Sequence, residues 1–173
     1  MPAMKRSRSA RLLLMSVAPL ALTACESDIN ATVFRSAQEC TSSGQLTAAQ
    51  CQAAFAEATS EHERVAPRYN SYADCVADFG PERCGPARDG SSSFIPFIGG
   101  MLLGQMLSGG RNVPQPLYLP RSGEFQTAGG TGVGTRAGAV RVPESATKPQ
   151  ARAITMSRSG FGSRAAARGS WGS

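Results

Sequence analysis

The chain has 173 residues but a single histidine, His62, and a single tryptophan, Trp171. One histidine cannot supply the paired imidazoles of an H-E-x-x-H metal helix. Glu61 and Glu63 beside it point away on a helix, because adjacent positions do not face each other. His62 therefore reads as a satisfied residue at the border of a helix face, not as a catalytic base. No Ser/His/Asp triad or paired-carboxylate motif stands elsewhere, and the glycine run from Gly129 to Gly134 lacks the lysine–hydroxyl pair of a phosphate loop. Long apolar runs are missing too. Leu12 to Ala24 would form about 20 Å of helix, against a hydrocarbon core of about 30 Å.

Acidic residues are absent before Glu26, and what stands there instead is organised. Lys5, Arg6, Arg8 and Arg11 precede the apolar run Leu12–Leu22, which ends in Leu22-Thr23-Ala24-Cys25. A basic start, a short apolar stretch and small residues before a cysteine make a bacterial lipoprotein signal. The expectation is cleavage before Cys25 and lipidation of its thiol, with residues 1–24 removed and residues 25–31 serving as an anchor linker. Each buried CH₂ contributes about 0.8 kcal/mol, so two or three acyl chains hold a protein stably to a membrane. Glu26, not Asp, follows the cysteine, which favours the outer membrane, facing the periplasm.

The net charge of +6 conceals a segregation. Cys25 to Gly110 holds five arginines against ten carboxylates, whereas the stretch from Arg111 holds eight arginines and Lys148 against Glu124 and Glu144. An acidic head and a basic tail imply different partners for the two halves. In an envelope compartment the anions within reach of the tail are lipid phosphates, lipopolysaccharide and cell-wall carboxylates, not nucleic acid.

Helix signals gather in residues 32–89. Ser36 followed by Glu39, Thr47 followed by Gln50 and Ser71 followed by Asp74 are capped starts. The second opens the longest helix, with Cys51, Phe55, Ala58 and Val65 on one face and Pro67 as its stop. A quasi-repeat runs through this head: a capped turn bearing Cys40 or Cys75, then a glycine, then Cys51 or Cys84. The simplest account is a local disulfide in each unit, although four cysteines allow three pairings. An envelope compartment sustains such bridges. A four-cysteine zinc site lacks its usual close C-x₂₋₄-C pairs, and redox work would want C-x-x-C or a basic neighbour to the thiol. The sequence thus implies no metal and no cofactor.

Residues 90–110 are apolar and rich in glycine and methionine. Gly100, Gly104 and Ser108 form a small-xxx-small stripe at helical spacing, suited to close helix approach. The segment either self-associates, docks to the membrane or completes the core of the head. Residues 111–173 have few large apolar side chains among Gly, Ser, Ala and Arg, a composition that resists folding. The expected fold is a small α-rich disulfide-stapled head, a short apolar segment and a disordered basic tail.

Several short words in the chain have a combined order that is specific. They are Ala66-Pro67-Arg68-Tyr69, Asp74-Cys75-Val76-Ala77-Asp78-Phe79-Gly80, Gln115-Pro116-Leu117-Tyr118 and Gly160-Phe161-Gly162, together with Cys25, the four later cysteines and the apolar run. In these the chain resembles the YgiB-like family of predicted bacterial envelope lipoproteins, of the UPF/DUF group. The resemblance implies an envelope location, no assigned activity and no catalytic residues to carry over. The function expected is that of a non-catalytic tether or adaptor at the outer membrane, whose head binds a protein partner and whose tail contacts anionic envelope material, with a homo-oligomer possible through the apolar segment. The alternative is a thiol-redox or other envelope enzyme.

Overall fold

A computed structural model describes residues 26–104, 113–156 and 160–161. Three helices form where the caps place them: α1 (Ala37–Ser42), α2 (Ala48–Val65) and α3 (Tyr72–Phe79). The Ser36 and Ser71 hydroxyls each accept a backbone N–H at 3.1 Å, from Glu39 and Asp74. Thr47 and Gln50 close a reciprocal capping box. Gly80 ends α3 with φ +95°, a conformation that favours glycine.

The remainder corrects the expected fold class, because the protein is mostly β. One sheet contains β1 (Asp28–Phe34), β5 (Gly100–Gly104), β6 (Gln115–Tyr118), β7 (Phe125–Thr127), β8 (Gly132–Gly134) and β9 (Gly138–Pro143). Its order is β8-β7-β6-β5-β1-β9, with every pairing antiparallel. The end strands β8 and β9 are consecutive in sequence and lie against each other, so the sheet is nearly closed. Near-closure leaves little free edge. A smaller sheet has the order β10-β2-β4-β3, from β2 (Arg68–Tyr69), β3 (Cys84–Pro86), β4 (Phe94–Pro96) and β10 (Thr155–Met156).

Neither the apolar segment nor the basic tail is what composition suggested. Gly100 and Gly104 begin and end strand β5, so they are not a helical stripe; Ser108 lies outside the described residues. The described part of the tail supplies β6 to β10, and β6 pairs directly with β5. Residues from Asp28 onward are likewise strand rather than linker.

Register explains how sparse apolar residues suffice. Val33 lies opposite Leu102, and Ile29 opposite Val142. With Ala31, Leu117, Phe125 and Val133 these side chains meet inside the curved sheet. The alternate positions Phe34 and Met101 point outward and pack with Cys40, Cys51 and Ala58 beneath α1 and α2. A third cluster, holding Val65, Tyr69, Phe79, Ile95, Tyr118, Met156 and Phe161, joins α3 and the small sheet to the outer face of β6. Alternation along a strand thus feeds two cores at once.

Candidate functional site

Disulfides tie the helices to what surrounds them. Cys40 is bonded to Cys51 across α1 and α2, and Cys75 to Cys84 across α3 and β3, with Cα separations of 5.8 and 6.1 Å. Cys40, Cys51 and Cys75 are fully buried and Cys84 nearly so. Inaccessible sulfurs are poorly placed for exchange chemistry, which needs an attacking thiolate to reach them.

A polar knot lies in the third core. The Asp78 carboxylate accepts the Tyr69 hydroxyl at 2.7 Å, the Gly160 N–H at 2.7 Å and the Phe161 N–H at 2.9 Å. It thereby pins Phe161 against the rings of Phe79 and Tyr118, with centroids 5.4 and 6.2 Å away. His62 comes from α2 onto the same side, its Nδ1 3.1 Å from the Tyr118 hydroxyl. It is 6% exposed, on the α2 face that buries Cys51, Ala58 and Val65, with Phe55 half-buried beside it. Burial pushes the imidazole pKa down; the Glu63 charge opposes this, and Arg88 and Arg68 add to it. Burial raises both tyrosines, Tyr69 further through its Asp78 hydrogen bond and Tyr118 through the charges of Glu61 and Glu63. These groups hold one another in place.

Access to ligand is found next door. An open cleft of about 540 Å³ lies where the α3–β3 turn meets the chain leaving β6. Its lining includes Phe79, Gly80, Glu82, Arg83, Pro120 and Arg121. A smaller recess of about 150 Å³ adjoins it, sharing Phe79, Arg83 and Leu119 and adding Phe97, Ile98 and Gly99. Arg83 Nη1 donates to the Leu119 carbonyl at 3.0 Å, which steadies its guanidinium on the wall. The Arg121 backbone N–H donates to the Asp78 carbonyl at 2.8 Å. Its side chain lies across Gly80, where a Cβ would stand 3.7 Å from Nε. Neither guanidinium is in an ion pair among the described residues. Glu82, which precedes Arg83 and also lines the cleft, has φ 64°, the left-handed region a non-glycine residue seldom enters.

The residues singled out from sequence are scattered. Cys25 lies outside the described residues, next to Glu26, whose carboxylate accepts the Ser145 N–H at 2.7 Å. That bond, and the Ser27 carbonyl accepting the Glu144 N–H at 3.0 Å, hold the start of β1 to the end of β9. Among the described residues no group of His, Cys, Asp and Glu is placed to hold a metal, and no helix is long and apolar enough to cross a membrane. Sequence reasoning missed Asp78, Tyr69, Tyr118, Arg83 and Arg121. A signal for the first three did exist. The four words that carry the family resemblance converge on this knot, bringing Tyr69, Asp78, Phe79, Tyr118, Gly160 and Phe161 together.

Comparison with known proteins gives the family. The model of a family described as a protein of unknown function, DUF1190, matches residues 28–172. A UPF0441 protein of Pectobacterium atrosepticum is 33% identical over 82% of this chain and 74% of its own length. One from Klebsiella pneumoniae is 31% identical over 91% and 83%, and one from Sodalis glossinidius 34% identical over 90% and 81%. No solved structure matches the chain. With a family match that takes in every strand and helix described above, and relatives aligned over most of their length, the chain belongs to this YgiB-like family of uncharacterised proteins.

Proposed function

We propose that the protein is a non-catalytic binding adaptor of the bacterial envelope, held by acyl chains on Cys25 to the outer membrane and facing the periplasm. The observation that carries this reading is the polarity of β1. Glu26, one residue beyond the anchor, is fixed to the end of the sheet where Asp28 pairs with Pro143. Gly100 packs against Phe34 and Arg35 at the other end of β1, and the preceding residue, Gly99, lines the recess of the cleft. A seven-residue strand spans on the order of 20 Å. Glu26 and the recess residue Gly99 thus lie towards opposite ends of β1, which supports an adaptor that presents its cleft away from the lipid.

The lining of the cleft supports binding over catalysis: among the described residues, guanidiniums and apolar side chains predominate, with one carboxylate and no hydroxyl or imidazole. The Leu22–Cys25 signal and the two disulfides support the location. Arg121, Arg136, Arg141 and Arg152 are exposed on a folded surface and offer contacts to anionic envelope polymers. A photo-crosslinker placed at Phe97, which is 54% exposed, tests the reading in intact cells. It should capture a defined partner that the same group at Glu144, on the anchored end, does not. Equal capture at both positions, or membrane association unchanged in Cys25→Ser, would refute the arrangement.

A further inference from the structure

We propose that the cleft recognises the free C-terminal carboxylate of an extended peptide whose last side chain is apolar. The inference rests on the binding reading above and names its ligand. Arg83 and Arg121 reach the cleft from two different chain segments, and neither is in an ion pair among the described residues. Planar guanidiniums suit a carboxylate because they donate two parallel N–H bonds. Arg83 is steadied by the Leu119 carbonyl, so part of the ordering cost of binding is met before the ligand arrives.

The second half of the ligand follows from the recess. Phe79, Phe97, Ile98 and Leu119 line it, and Arg83 stands at the boundary it shares with the wide cleft. A recess of about 150 Å³ is the size of a cavity that takes a benzene-sized group. It admits one leucine or phenylalanine side chain and is too small for a long acyl chain. Phe79, Arg83 and Leu119 border both spaces, so a carboxylate at the arginines and an apolar side chain in the recess suit the terminal residue of a peptide, which carries both groups on one Cα. The wide cleft then has room for the residues that precede it. Glu82 leaves the cleft with a single net positive charge and disfavours ligands carrying a second acid nearby.

The test is fluorescence anisotropy with the full chain and an N-terminally dye-labelled, alanine-rich hexapeptide ending in leucine. The free acid should bind, and the C-terminal amide at least tenfold more weakly. Arg121→Ala should weaken binding at least tenfold while Arg121→Lys recovers part of it. Phe97→Ala should weaken the leucine peptide but not one ending in alanine. Arg121 and Phe97 are both exposed, so their variants should melt with the wild type, which separates lost recognition from lost fold. Equal affinity for acid and amide, indifference to Arg121→Ala, or no binding of the free acid would overturn the proposal. Binding of decanoate in place of the peptide would overturn it in favour of a lipid acid. The adaptor reading would survive any of these if crosslinking at Phe97 still captured a partner.

Discussion

Asp78 shows how one side chain can join distant segments. Its carboxylate satisfies the hydroxyl of the fully buried Tyr69 and two backbone N–H groups at Gly160 and Phe161. Asp78→Ala would remove the acceptor of the buried Tyr69 hydroxyl and of the Phe161 N–H, at a cost of about 1–3 kcal/mol. Asp78→Asn keeps one acceptor oxygen and should lose less, and denaturant midpoints will rank the three proteins. His62 yields a prediction in pH. Its folded pKa is depressed, chiefly by burial, so below the ordinary value of 6.5 the unfolded chain takes up a proton that the folded chain resists. The stability tied to neutral His62 is therefore complete above 6.5 and falls as pH drops through the folded pKa. The slope is at most about 1.4 kcal/mol per pH unit. Unfolding free energies from pH 8 to pH 5 should show this decline in the wild type and a shallower one in His62→Gln.

At the scale of elements, helices were legible and strands were not, for a physical reason. A helix declares itself within a few residues: the hydroxyl caps at Ser36, Thr47 and Ser71 and the stop at Pro67 are local chemistry, and each appears where it was read. The strands are short and derive their stability from partners far along the chain. Gly100-Met101-Leu102-Leu103-Gly104 has its glycines four apart and invites a helical reading. Yet Gly100 is small because a Cβ there would come within 2.7 Å of the Phe34 carbonyl oxygen on the neighbouring strand, a contact no local pattern reveals. Gly100→Ala must therefore shift backbone, and should cost about 1–3 kcal/mol in thermal or denaturant unfolding. The tail misled through average composition. Leu117, Phe125, Val133 and Val142 are few, but all four are directed into the curved sheet and buried. Of the candidate site, the family words contained the Tyr69–Asp78–Phe161 knot without disclosing it. The arginines of the cleft carried no sequence signal, since Arg83 and Arg121 meet only after α3 packs beside β6.

Across the whole molecule, the acidic head and basic tail form one body. Arg64 of α2 donates to the Gln150 and Ala151 carbonyls, and β1 lies between β5 from one half and β9 from the other. A chain stopped at Gly110 would lack β6, β7, β8 and β9, four of the six strands of the main sheet. It would expose the inner faces of β1 and β5 and leave Tyr118 and Phe161 missing from the third core. Such a fragment should show no cooperative unfolding transition, whatever its disulfides contribute. A chain stopped at Met156 keeps every described strand and loses the Phe161 ring, which is 3% exposed and packed on Phe79 and Tyr118. Removing a buried phenylalanine costs about 3–5 kcal/mol, so this protein should still unfold in one transition at a clearly lower temperature. Phe161→Ala in the full chain should reproduce most of that loss. Calorimetry on the three proteins decides between a single folded body and a separable tail. Independent cooperative melting of the chain ending at Gly110 would return the tail to the role of an appendage.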